Sequence, residues 1–195
     1  MRIAALALVL LLLGCGGASP QRTLYLFRTE LVERTGRVEP PHRIGLGRVV
    51  VAPYLDQTGL VVEIAKGQVH AARTHRWAEP LQDALRSYLR AEISSALGFE
   101  VGIGRMERLP WEYTIDVYID QLHGTMGGRA LIEAGYRITP EIGLGEVSEF
   151  RFSSTAPLPR EGYAGLFEAE VDLASQLAHA IAKDLAVATE RTPDP

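Results

Sequence analysis

A single cysteine, Cys15, leaves this chain no way to close a disulfide within itself, which excludes the small disulfide-stapled scaffolds of exported proteins. Concentrated basic charge is also missing. Of 20 basic residues only Lys66 and Lys183 are lysine, 24 acidic residues outnumber them, and nowhere do four basic residues cluster. A net charge of −4 without a basic stripe lacks the electrostatic footprint of a nucleic-acid binder, so no nucleic-acid partner is expected. Past residue 13 no apolar run reaches even eighteen residues, so nothing later in the chain has the length and apolarity of a membrane-spanning helix. The common catalytic signatures are absent too. There is no GxSxG elbow, no GK[ST] phosphate cradle and no HExxH, and Gly102-Ile103-Gly104 has Glu107 where a dinucleotide fingerprint needs its third glycine. No catalytic residue and no cofactor is expected.

What the chain does have begins at its N-terminus. Arg2 supplies a positive start, and Ile3 to Leu13 form an apolar run of eleven residues, too short to span a bilayer and suited to a secretory signal. The run ends in Leu12-Leu13-Gly14-Cys15, which resembles the lipobox of bacterial lipoproteins. That resemblance implies cleavage after Gly14, diacylglycerol on the Cys15 sulfur and acylation of the new amine. One acyl chain holds a protein only marginally, at roughly 0.8 kcal/mol per buried methylene, whereas two or three hold it persistently. Residues 1–14 are thus expected to leave as signal peptide, and 15–22 to form a lipidated leash of small residues. Gly16 is not aspartate, which under the sorting rule of enteric lipoproteins favours a periplasm-facing place on the outer membrane over the inner one.

Residues 23–189 read as one domain, followed by a disordered tail at 190–195, with hydrophobic residues 47% and charged residues 23%, ordinary globular values. Thr23 to Phe27 is β-prone, residues 33–47 with their glycines and prolines read as loop or edge, and Val49 to Ala52 is a short buried strand. Leu60–Ile64 and Val69–Arg73 form a hairpin about Lys66-Gly67. Leu81, Ala84, Leu85, Tyr88, Leu89, Ile93 and Leu97 recur at helical spacing, so a helix runs from Pro80 to Leu97 and stops at Gly98. After a short strand at Glu100–Ile103, the residues from Trp111 to Leu122 alternate, with Trp111, Tyr113, Ile115, Val117 and Ile119 expected to face the core. Strands near Arg129–Ile138 and Glu146–Ser154 complete an antiparallel meander, and Tyr163 to Thr189 is a second long helix. The fold class expected is α+β: a mainly antiparallel sheet of about seven strands with two long amphipathic helices packed on one face.

The stretch Ala52 to Leu81 is similar to the centre of the PqiC/YmbA family of ABC-type transport auxiliary lipoproteins. The matching pieces are Tyr54-Leu55-Asp56 after a short strand, Val61-Val62, and Arg76-Trp77-Ala78-Glu79-Pro80-Leu81 opening a helix. One departure is Gln57-Thr58-Gly59, where family members commonly carry an arginine and a proline. The resemblance implies an outer-membrane accessory of an MCE-type lipid transport system. Its partners would be an MCE-domain protein and an ABC permease and ATPase, with a homo-oligomeric ring as a possible assembly. The alternative is a lipoprotein regulator docking on a cell-wall enzyme or secretion channel.

The docking candidates are Tyr54, Leu55, Asp56, Arg76 and Trp77. Against them stands the reading that Trp77 staples the helix start to the sheet and that Asp56 satisfies turn amides while Tyr54 and Leu55 pack inward. His70, His75 and Glu79 have no metal-ligand spacing, and no metal is expected. Glu112, Asp116 and Asp120 share a strand face with neighbours about 13 Å apart, too far for paired acid–base work. Cys15→Ala is expected to leave a folded domain that loses its membrane location. Fractionation showing the variant still in the membrane pellet would contradict the anchor.

Overall fold

The computed structural model describes residues 21–29, 40–103, 110–141 and 145–190. Cys15, the leash up to residue 20 and the tail from 191 lie outside the described residues, as does the first part of the 33–47 loop. In chain order the elements are β1 (Thr23–Tyr25), β2 (Ile44–Val51), β3 (Gly59–Ala65), β4 (Gln68–Trp77), α1 (Leu81–Leu97), β5 (Gly102–Ile103), β6 (Tyr113–Thr125), β7 (Arg129–Pro140), β8 (Ser148–Pro157) and α2 (Gly162–Glu190).

β6 is the strand on which the sheet is built. Its alternation buries Tyr113, Ile115, Val117 and Ile119, and the pairing with β7 then slips by one residue after Ile119, so that Leu122 and Gly124 continue the core row while His123, also buried, lies on the opposite face. One edge is taken by β7, antiparallel, and β8 follows β7 in unbroken antiparallel register from Arg129↔Pro157 to Ile138↔Ser148. The other edge is shared in series by β2 and β3, both parallel to β6. Val51 pairs with Ile119 and Val62 with Gly124, so eleven residues of chain cover five residues of β6 and six are looped out between the two strands.

The sheet is mainly antiparallel, as expected, but mixed rather than purely so, with eight strands among the described residues. Hairpin-length connections were the ground for expecting antiparallel pairing, and they do pair that way in β3–β4, β6–β7 and β7–β8. The remaining ladders, β1–β4, β2–β5, β2–β6 and β3–β6, join segments distant in sequence and are all parallel. Local turn signals carry no information about such pairs.

Residues 44–47 also depart from expectation, because they begin β2 rather than ending a loop. Gly45 and Gly47 serve close approach instead of a turn. A Cβ on Gly45 would sit 2.8 Å from the Trp111 ring, and one on Gly102 would sit 2.0 Å from it, so the indole lies across β2 and β5 where side chains are missing. Gly45 pairs with Thr114, whose side points away from Tyr113 and Ile115. Trp111 thus covers the outer face rather than joining the core row, since it precedes the first residue of the strand. A Cβ on Gly47 would meet Asp116 Oδ1 at 2.6 Å, and that oxygen accepts the Arg48 backbone N–H at 2.7 Å where β2 bulges between Leu46 and Val49.

Both helices pack against the curled sheet and against each other. α1 buries Leu81, Ala84, Leu85, Tyr88, Leu89 and Ile93, and Gly98 ends it in the left-handed region at φ +76°, its N–H reaching the carbonyls of Ser94 and Ser95. α2, with 29 residues, buries Leu166, Ala169, Leu173, Leu177, Ile181 and Leu185. At 1.5 Å per residue it is about 44 Å long, enough to cross the sheet from end to end.

Phe27 ties the first strand to this layer. Only 5% exposed, its ring lies 5.4 Å from Trp77, 5.3 Å from Tyr88 and 5.7 Å from Phe167, so one side chain touches β4, α1 and α2 together. Phe27→Ala is expected to lower unfolding free energy by about 3–5 kcal/mol, as for other buried Phe truncations. A urea midpoint within experimental scatter of the parent would refute that role.

Candidate functional site

The six-residue excursion between β2 and β3 carries Tyr54, Leu55 and Asp56, and the structure sets it beside Arg76 and Trp77. The Trp77 backbone N–H donates to the Thr58 carbonyl at 2.8 Å, and Gly59 pairs with Arg76. Two stretches about twenty residues apart in sequence therefore form one surface. Their side chains divide sharply. Leu55 is 1% exposed and Trp77 7%, and both belong to the core, Trp77 stacked on Phe27 where α1 begins. Asp56 is exposed, Arg76 is half-buried with Nε donating to the Arg73 carbonyl at 2.9 Å, and Tyr54 is half-buried. What this surface offers a partner is Tyr54, Asp56 and Arg76.

Beneath the excursion lies a group of buried titratable side chains. The Tyr54 hydroxyl is 2.9 Å from Nδ1 of His123, which is 4% exposed on β6. Burial pushes the Tyr54 phenol up to about 12, with Glu133, Glu170 and Glu63 adding to the effect. Burial also pushes His123 below its ordinary value, which favours the neutral imidazole, while Glu63 and Glu133 act the other way. Glu170 on α2 is fully buried and neither carboxyl oxygen has a hydrogen-bond partner among the described residues, and loss of solvent raises it well above the usual carboxylate range. Burial thus favours the uncharged form of all three, which suits a packed interior better than a nucleophile or metal site.

Sequence reasoning passed over His123 and Glu170. A signal existed for the second, because Glu170 stands four residues after Leu166 and three before Leu173, within the apolar stripe of the helix. His123 had none: past the slip it pairs with Leu131 on the face opposite Leu122 and Gly124, where it meets Tyr54.

Several other carboxylates and histidines have local partners. Glu112 meets His42 at 3.0 Å and Arg43 at 3.1 Å, and Asp120 meets Arg151 at 2.7 Å. His75 shares a hydrogen bond of 3.0 Å with the Tyr25 hydroxyl and stacks on Tyr163, while His70 is exposed. Among the described residues no three His, Cys, Asp or Glu side chains are placed to hold a metal. On the outer face of β6, β7 and β8 an open depression of about 490 Å³ surrounds Gly135. Its charges are matched, Arg137 with Glu149 at 2.6 Å and Arg151 with Asp120, so it presents no net sign to an ionic ligand.

Glu170 has a consequence for stability. Its carboxyl binds a proton more tightly folded than unfolded, so its neutral form is tolerated below the unfolded value and its penalty grows as pH rises toward the folded one. Glu170→Gln is therefore expected to be more stable than the parent, by a margin that widens as pH rises from about 4.5, the usual carboxylate value. Urea unfolding of both proteins across that range checks it, and a constant or shrinking margin would contradict a buried, unpartnered carboxyl.

Residues 25–182 match the family model described as the ABC-type transport auxiliary lipoprotein component. A search of curated proteins returned no match. Among solved structures, an uncharacterized protein superposes with a TM-score of 0.72 at 21% identity, covering 85% of this chain and 99% of its own. A DUF330-family protein from Xanthomonas campestris gives a TM-score of 0.70 at 14% identity, covering 87% of this chain and 98% of its own. At those identities the superpositions speak for the fold, and the family model for kinship. The chain belongs to the ABC-type transport auxiliary lipoprotein family.

Proposed function

We propose that this protein is a lipid-anchored, periplasm-facing accessory of an MCE-type lipid transport system at the outer membrane, acting by docking rather than by catalysis. The observation that carries the reading is a family match over residues 25–182 lying directly behind a lipobox at Cys15. Membership supports an accessory role beside an ABC transporter, and the lipobox supports a tether. The chemistry of the body is in keeping, with half-buried Tyr54 and buried His123 and Glu170 favoured uncharged, and with Glu112 and Asp120 in ion pairs.

In this reading the distal end of an MCE-domain tunnel is received by the anchored body, with the ABC permease and ATPase at the other membrane. The docking surface is the excursion bearing Tyr54 and Asp56 with Arg76 beside it, and several copies arranged as a ring would give lipid a passage. A chain excursion out of an otherwise continuous ladder gives up backbone hydrogen bonds, and such departures from regularity are expected where contact with a partner is made.

Affinity capture from crosslinked membranes is expected to recover MCE-domain and permease components. Asp56→Arg reverses an exposed charge and is expected to change stability by no more than about 0.5 kcal/mol while lowering that recovery. Recovery of neither component, with lipid traffic unchanged on deletion, would sink the reading.

A further inference from the structure

The end of the molecule from which the leash departs carries apolar side chains that the core does not use. β3 and β4 meet at the Lys66-Gly67 turn, which is held by the Gly67 N–H donating to Glu63 Oε1 at 2.9 Å. Ile64 is 49% exposed and Val69 44%. Val69 pairs with Glu63, so Ile64, the next residue, projects from the opposite face of the same hairpin. One residue past the Glu63↔Thr125 pair, Met126 in the β6–β7 turn is 73% exposed. Set into this end is an apolar hollow of about 170 Å³, walled by Val62, Leu158, Tyr163 and Leu166. A hairpin that is apolar on both faces, with a lysine at its tip, has the pattern of a wedge whose charged head snorkels while its flanks leave water.

The leash arrives at this same end. β1 is parallel to β4 with Thr23 beside His75, and His75 stacks 4.5 Å from Tyr163, one wall of the hollow. Eight residue-to-residue steps lead from Cys15 to Thr23, a reach of at most about 29 Å when fully extended. The opposite end also exposes Ile103, Val147 and Val187, but it lies toward the far terminus of α2, whose length of about 44 Å exceeds that reach.

We propose that the hairpin tips at 64–69 and 125–128 rest in the surface of the phospholipid bilayer that holds the anchor, with Ile64, Val69 and Met126 among the headgroups and Lys66 at the phosphates. The bilayer occupies this patch because the leash confines it there. The proposal rests on lipidation of Cys15.

Detergent-extracted full-length protein carrying Val69→Cys, Met126→Cys or Val187→Cys, reconstituted into phosphatidylethanolamine and phosphatidylglycerol vesicles, tests it. A lipidated Cys15 is a thioether, so each variant should show one reactive thiol and accept one nitroxide. Labels at 69 and 126 are expected to lose collisions with a water-soluble nickel complex and gain collisions with oxygen, while the label at 187 does neither. Equal nickel access at all three positions with one reactive thiol would overturn the orientation alone. Spin–spin broadening at 126 would assign the patch to a second copy and overturn it as well. Two reactive thiols would overturn the anchor and the orientation with it.

Discussion

The fold depends on satisfying both edges of one buried thirteen-residue strand. Backbone N–H and C=O groups without water must find partners, and β6 presents them on two sides along its whole length. β7 fills one edge without difficulty because a tight turn delivers it antiparallel. Filling the other takes two separate strands laid end to end, and the chain between them has to leave the ladder and return. The excursion that brings Tyr54 and Asp56 to the surface is a by-product of that arrangement. So is the parallel pairing of β2 and β3 with β6.

The aromatic contacts around Phe27 couple the N-terminal strand to both helices and to β4. Under the proposed function this matters, since any pull on an anchor at residue 15 would reach the body through β1. β1 itself is only three residues long and parallel to its single neighbour, a weak attachment by hydrogen bonding alone. Phe27, two residues on, supplies the buried area that the short ladder lacks.

Buried polar groups beneath the excursion run against packing economy. Glu170 occupies a position where leucine would extend the stripe of α2, and none of the described residues hydrogen-bonds its carboxyl. Tyr54 and His123 satisfy one another, so the cost there is smaller. The three together place the least hydrophobic part of the core under the surface that the proposed function assigns to docking. The opposite flank, with matched Arg137–Glu149 and Arg151–Asp120 pairs, is an ordinary solvated sheet face.

Much was legible in the sequence because the signals were local. The alternation of Tyr113, Ile115, Val117 and Ile119 set the strand and its buried face, the spacing of Leu81 to Ile93 and of Leu166 to Leu185 set the helices, and Gly67 and Gly98 marked their turn and stop. The tertiary structure alone decided which strands lie side by side. Parallel pairing of β2, β3 and β5 joins segments whose mutual attraction appears in no local pattern, and it turns Gly45, an apparent loop residue, together with Gly102 into a floor for Trp111. It also decided that Leu55 and Trp77 turn inward while Asp56 stays out, and that His123 is buried against Tyr54 on the face opposite the core row. Periodicity reports which face of an element avoids water; only packing determines what that face meets.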